Sequence, residues 1–219
     1  RTWANERETS TDLPAGKLVK ENCQGQLEEA MNGFTFKLFT KLCGGDKNVF
    51  CSGYSVNVAL AMLAMGTVDT SLEELKNTLE WNNISSSETE IIKEYRALSD
   101  LLHNTQSIQI LTANSIWCKQ IKEEFISRLQ SEMGAESFPL TNAAAINSWV
   151  SEKTNQLIKN IVDNIDPLVI GVLVNAIYFK GNWAKQFDEN RTNALDFTLP
   201  DNSVIKTPMM NMKGSFPVV

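Results

Sequence analysis

The chain has 219 residues, 42% hydrophobic and 21% charged, ordinary globular usage that excludes wholesale disorder. Its 20 basic against 26 acidic side chains leave a net charge of −6, the wrong sign for a nucleic-acid surface. The longest apolar run, 168–179, falls short of a membrane span of roughly 20 residues, and four cysteines without a C-x-x-C pair form neither a disulfide scaffold nor a zinc knuckle.

Residues 1–25 are polar, carry Pro14 and Gly16, and are expected to form a flexible N-terminal arm before a single folded domain over 26–219. Leu27, Ala30, Met31, Phe34, Leu38 and Leu42 recur at helical spacing, and Gly44-Gly45 stops that helix. Residues 56–65 are apolar on every side apart from Asn57, which predicts a helix surrounded by protein and closed by a left-handed Gly66. Ser71-Leu72-Glu73-Glu74 and Ser87-Glu88-Thr89-Glu90 both have capping-box spacing and open two amphipathic helices.

The period then changes. Ile108, Ile110 and Ile116 share one side of a strand, and Leu111, Ala113 and Trp117 share the other. Residues 122–133 return to a helix. Asn142 starts a long helix that carries Ile146, Trp149, Val150, Leu157 and Ile161 on one face. Residues 168–179 predict a central strand covered on both faces, and Pro200-Asp201-Asn202-Ser203 turns a hairpin between 194–199 and 204–207. The result is a mixed α and β protein. Its last residues, Phe216-Pro217-Val218-Val219, still have strand character, so further chain is expected beyond them.

Catalytic chemistry finds little footing. The one histidine, His103, sits at the end of an amphipathic helix, without a G-x-S-x-G elbow to accompany it. The 11 glycines include no G-x-G-x-x-G and no phosphate-binding loop. Acidic pairs such as Glu73/Glu74 and Glu88/Glu90 belong to helix starts, where they meet the helix dipole. Cys51 and Cys118 lie among apolar neighbours and are expected as buried free thiols. Asn83-Ile84-Ser85 and Asn190-Arg191-Thr192 are glycosylation sequons at Asn83 and Asn190. One residue is physically odd. Asn175 lies inside an apolar strand, where an unpaired amide costs roughly 1–3 kcal/mol, and Ser52 and Ser55 are its candidate partners. It is either a satisfied core amide or a polar switch beneath a sheet that opens.

Several motifs then share one likeness. Asn48-Val49-Phe50-Cys51-Ser52-Gly53-Tyr54-Ser55, followed by Ala59-Leu60-Ala61-Met62-Leu63, resembles the serpin motif N-x-F-x-S-P-x-S and its helix. Leu111-Thr112-Ala113-Asn114 resembles a serpin strand, and Ile146-Asn147-Ser148-Trp149-Val150 with Thr154-Asn155 resembles the helix that crosses the main sheet. Leu173-Val174-Asn175-Ala176-Ile177-Tyr178-Phe179-Lys180-Gly181-Asn182-Trp183 is similar to the family's central strand nearly letter for letter. Phe187, Thr192, Phe197, Met209-Met210 and Gly214-Ser215-Phe216 continue the likeness. Gly53 stands where the family has proline, and Gln156-Leu157 where it has Gly-Lys.

The resemblance implies an α+β, serpin-like fold, with helices packed around a central, mainly antiparallel sheet. It implies a suicide-substrate inhibitor of a serine or cysteine protease, whose reactive loop inserts into that sheet after cleavage. The alternative within the family is a non-inhibitory carrier, storage protein or chaperone. Ser52, Ser55 and Asn175 match the family's shutter, and Trp183 matches its breach. The reactive loop would lie beyond Val219, in a C-terminal remainder of the fold. Neither a catalytic site nor a cofactor or metal is expected. Residues 88–103 hold two basic side chains, Lys93 and Arg96, among Glu88, Glu90, Glu94 and Asp100, so heparin binding is not expected. The sequons suggest an extracellular, secreted glycoprotein, with an intracellular location as the alternative.

Overall fold

Helical spacing of apolar residues and a change to period two set the order of elements in the computed structural model, which describes residues 25–45, 48–104, 108–183 and 185–214. The order is α1 (Gln26–Leu42), α2 (Gly53–Ala64), α3 (Asp69–Thr78), α4 (Glu88–His103), β1 (Ile108–Cys118), α5 (Glu123–Met133), β2 (Glu136–Pro139), α6 (Ala143–Lys153), β3 (Gly171–Gly181), β4 (Asn193–Thr198) and β5 (Val204–Met209). The chain divides into two compact units, 1–179 and 180–219. The expected arm and the strand-like residues at the end fall, Gly25 apart, outside the described residues.

In the first unit, β1 lies between β2 and β3. It pairs with β2 in parallel, from Ser115 beside Glu136 to Cys118 beside Pro139. It runs antiparallel to β3: the Lys119 amide donates to the Ile170 carbonyl at 3.0 Å, while Asn114 meets Asn175 further along. The sheet separates two apolar clusters because side chains alternate across a strand. Ile116 and Leu173 face a core built from Leu27, Met31, Val58, Met62, Ile91, Tyr95 and Leu129 of the helices. Ala113, Trp117, Val174 and Ala176 face the other, with Ile146, Trp149 and Val150 of α6. The second unit contains the β4–β5 hairpin, paired antiparallel from Asn193 beside Met209 to Thr198 beside Val204.

Several expectations are corrected. Among the described strands β1 lies between β2 and β3, so β3, expected as central, stands at an edge of these three. α2 buries one face only. Ala61 and Met62 are enclosed, yet Val56 and Leu63 are exposed. Gly66 does not take the left-handed conformation. Its lack of a side chain serves packing instead, since a Cβ would meet the Phe125 ring at 2.7 Å. Ser71 caps nothing. Its helix starts earlier, at Asp69. Ser87 and Glu90 do close a capping box, the Glu90 carboxylate accepting the Ser87 amide at 2.8 Å. α6 ends at Lys153, because Asn155 and Gln156 have positive φ, and Leu157 and Ile161 are left exposed beyond it. Helical spacing alone could not see that stop. The short strand β2 was too brief to give a period.

Candidate functional site

The polar cluster forms where the start of α2 meets β1 and β3. Ser52 is the N-cap of α2: its backbone is extended (φ −110°) and its hydroxyl accepts the Ser55 amide at 3.2 Å. That cap leaves the Ser55 side chain free to reach the sheet. Its hydroxyl donates to Asn175 Oδ1 of β3, and Asn175 Nδ2 donates to Asn114 Oδ1 of β1. One helix and two adjacent strands are thereby tied by a chain of hydrogen bonds. Gly53 sets the approach. A Cβ there would collide with the Thr35 side chain of α1, so glycine lets the cap turn pack close against that helix.

One expectation changes here. Asn175 is half-buried, not fully enclosed, because the face it lies on is open at that level of β3. Asn114 is the more enclosed partner at 8% exposure and belongs to the clasp, though it was not among the candidate residues. An asparagine in an otherwise apolar strand was the signal for Asn175, whereas Asn114 lies between Thr112 and Ser115, where a polar residue is unremarkable.

A second polar chain lies deeper. The Trp81 indole N–H donates to the Tyr95 hydroxyl at 3.2 Å, and that hydroxyl donates to Asn57 Oδ1. Asn57 is the polar exception already evident in α2, and it is wholly buried. Burial pushes the Tyr95 hydroxyl above its ordinary range. Tyr54 is pushed up to about 12, also by burial.

The other candidates are scattered. Cys51 is exposed and Cys118 half-buried, which corrects the pair of buried thiols. Cys51 precedes α2 in a loop, where apolar neighbours in sequence do not enclose it. Burial still raises the Cys118 thiol. His103 is exposed, and both ring nitrogens are engaged: Nδ1 lies 2.7 Å from the Ser99 carbonyl, and Nε2 accepts the Thr112 amide at 3.4 Å. It links α4 to β1, its Nε2 lying 3.5 Å from the Thr112 hydroxyl as well. In the second unit, Trp183 is 63% exposed and meets Phe187 edge to face at 5.5 Å between centroids. Asn83 and Asn190 are both exposed. Among the described residues, no group of three or more His, Cys, Asp or Glu side chains could hold a metal ion, and no helix is long and apolar enough to cross a membrane.

A family model described as Serpin (serine protease inhibitor) matches residues 29–219. The chain is 32% identical over 217 residues to an uncharacterized serpin-like protein of Thermococcus kodakarensis, covering 94% of this chain and 50% of that protein. It is 31% identical over 215 residues to antitrypsin of Bombyx mori, covering 92% and 54%. Neuroserpin of Homo sapiens is 29% identical over 203 residues, covering 86% and 49%. The chain spans about half the length of the curated relatives it matches.

Proposed function

This chain belongs to the serpin family, and on that premise we propose that it serves an inhibitor of a serine or cysteine protease, acting by loop insertion rather than by catalysis. The observation that carries the reading is the polar clasp of Ser55, Asn175 and Asn114. Insertion of a strand requires a sheet to part and close again. An apolar contact loses its burial when strands separate, whereas hydroxyl and amide groups can exchange one partner for another. The clasp sits where such an exchange would act, across two strands and the helix beneath them. Ser52 holds the helix start in place, and Trp183 is the candidate for the point of first entry. The sequons and the family favour an extracellular glycoprotein.

The test is incubation of the protein with trypsin-like and chymotrypsin-like proteases, followed by denaturing electrophoresis. An inhibitor yields a complex with the protease that survives denaturant. Clean cleavage without a complex, against every protease tried, overturns the inhibitory reading and favours a carrier, storage or chaperone role.

A further inference from the structure

β2 covers only part of its side of β1. The two strands pair from Ser115 to Cys118, so among the described residues no strand lies beside Thr112 on that side. Backbone amides and carbonyls point to alternate sides along a strand. The Lys119 amide meets the Ile170 carbonyl before β3, and the Cys118 carbonyl meets the Leu140 amide after β2. Odd-numbered amides of β1 therefore point to β3, and even-numbered ones, Thr112 included, to the β2 side. An unpaired edge amide is a template for another strand. At Thr112 a side chain takes that place: His103 Nε2, at the end of α4, accepts the amide at 3.4 Å.

The tautomer follows from the geometry. His103 Nδ1 lies 2.7 Å from the Ser99 carbonyl, and a carbonyl oxygen only accepts, so Nδ1 carries the ring hydrogen and Nε2 is the bare acceptor. An imidazolium carries a hydrogen on both nitrogens. Once protonated, Nε2 has no lone pair for the Thr112 amide. The Thr112 hydroxyl, 3.5 Å away, can rotate to accept the new hydrogen, but a backbone N–H has no such freedom. A proton on Nε2 thus leaves a side-chain link in place and frees the edge amide.

We propose that His103 is a proton-operated cap on the edge of β1: the neutral ring holds the Thr112 amide, and weak acid releases it. Imidazole is the ordinary side chain that changes charge between about pH 5 and 8, and the chain has one histidine. The charges of the surrounding elements are largely paired with each other. On α4, Arg96 bonds Asp100 at 3.0 Å. β1 holds no Asp, Glu, Lys or Arg, and Cys118 ends it. β2 contributes Glu136, paired with Lys153. α5, packed on α4, contributes Arg128 paired with Glu132, and Glu123 and Glu124 in its first turn. Tyr54 of α2, which bonds the Ser99 side chain, is uncharged across this range. Thr112 and Asn114 lie on the same face of β1, so the freed edge adjoins the clasp. The cap needs neither a protease nor an inserted loop, and it stands apart from the inhibitory reading.

The experiment is amide hydrogen exchange in the intact protein at about pH 7.5 and about pH 5.5, on either side of imidazole titration. Single residues are resolved by fragmentation mass spectrometry, and rates are divided by the intrinsic rate at each pH. Protection of the Thr112 amide should fall by about fivefold in the acid sample, the effect of losing one ordinary hydrogen bond. Ala113, whose amide points to β3, should keep its protection. His103→Gln, which does not titrate, should remove the pH dependence. His103→Lys, a cation without an acceptor, should leave Thr112 unprotected at both pH values. Equal protection of Thr112 at both pH values in the unaltered protein overturns the cap. So does an equal loss at Ala113, which would mean that the whole strand opens, or an unchanged pH dependence in His103→Gln.

Discussion

Asn175→Ala removes two hydrogen bonds at once, the one received from Ser55 and the one given to Asn114. Asn114 is then left with an enclosed carbonyl oxygen lacking that donor. An unsatisfied buried polar group costs about 1–3 kcal/mol. Asn175 is only half-buried, so water can replace part of what is lost, and about 1–2 kcal/mol is expected. For a domain of this size that lowers Tm by about 2–8 °C. Stability alone does not separate a clasp from a satisfied core amide, so the measurement is a cycle with Ser55→Ala. If one hydrogen bond joins the two side chains, their effects fall short of additivity by about 0.5 kcal/mol or more. The cycle is read from thermal and urea melts, with light scattering followed on mild heating. A clasp that holds strands together predicts faster polymerisation, or conversion to an inactive hyperstable form, in Asn175→Ala. Additive effects within about 0.3 kcal/mol, in a variant that stays monomeric and fully active, would refute the reasoning.

Asn114→Ala should polymerise on mild heating nearly as readily as Asn175→Ala, because it removes the other end of the same chain; native gels after incubation check this. Tyr95→Phe should cost about 2–4 kcal/mol in a urea melt, since both Trp81 Nε1 and Asn57 Oδ1 lose a buried partner. Cys118 should react with iodoacetamide at pH 8 more slowly than Cys43 and Cys51, because burial raises its thiol while the other two are exposed; mass spectrometry of the labelled peptides reads the order. The Glu90 carboxylate is held below its usual range, chiefly by the Ser87 amide and then by the Ser87 hydroxyl. Its contribution is therefore present above the unfolded value of about 4.3 and lost as pH falls through the folded one, so Glu90→Gln should destabilise at pH 7 and be nearly neutral at pH 2.

Much of the molecule was legible along the chain. The α+β class, the Ser87 capping box, the two-faced strand from Ile108 and the hairpin around Asp201-Asn202 all follow from short-range periods and turn chemistry. So did the oddity of Asn175, because a lone amide in an apolar run demands a partner wherever the strand lies. What the chain could not reveal depended on which surfaces meet. That β1 lies between β2 and β3 among the described strands is a matter of pairing between segments far apart in sequence. Gly66 looked like a left-handed helix cap, yet its use is set by Phe125, and that of Gly53 by Thr35, which other helices bring against them. Cys51 was judged by its neighbours in sequence, but a loop can carry apolar residues past the core without entering it. The clasp shows the division most plainly. Ser55 and Asn175 could be named as polar residues in apolar surroundings and Asn114 could not, but a hydrogen bond needs donor and acceptor about 3 Å apart, and only the packing of α2 against β1 and β3 supplies that distance.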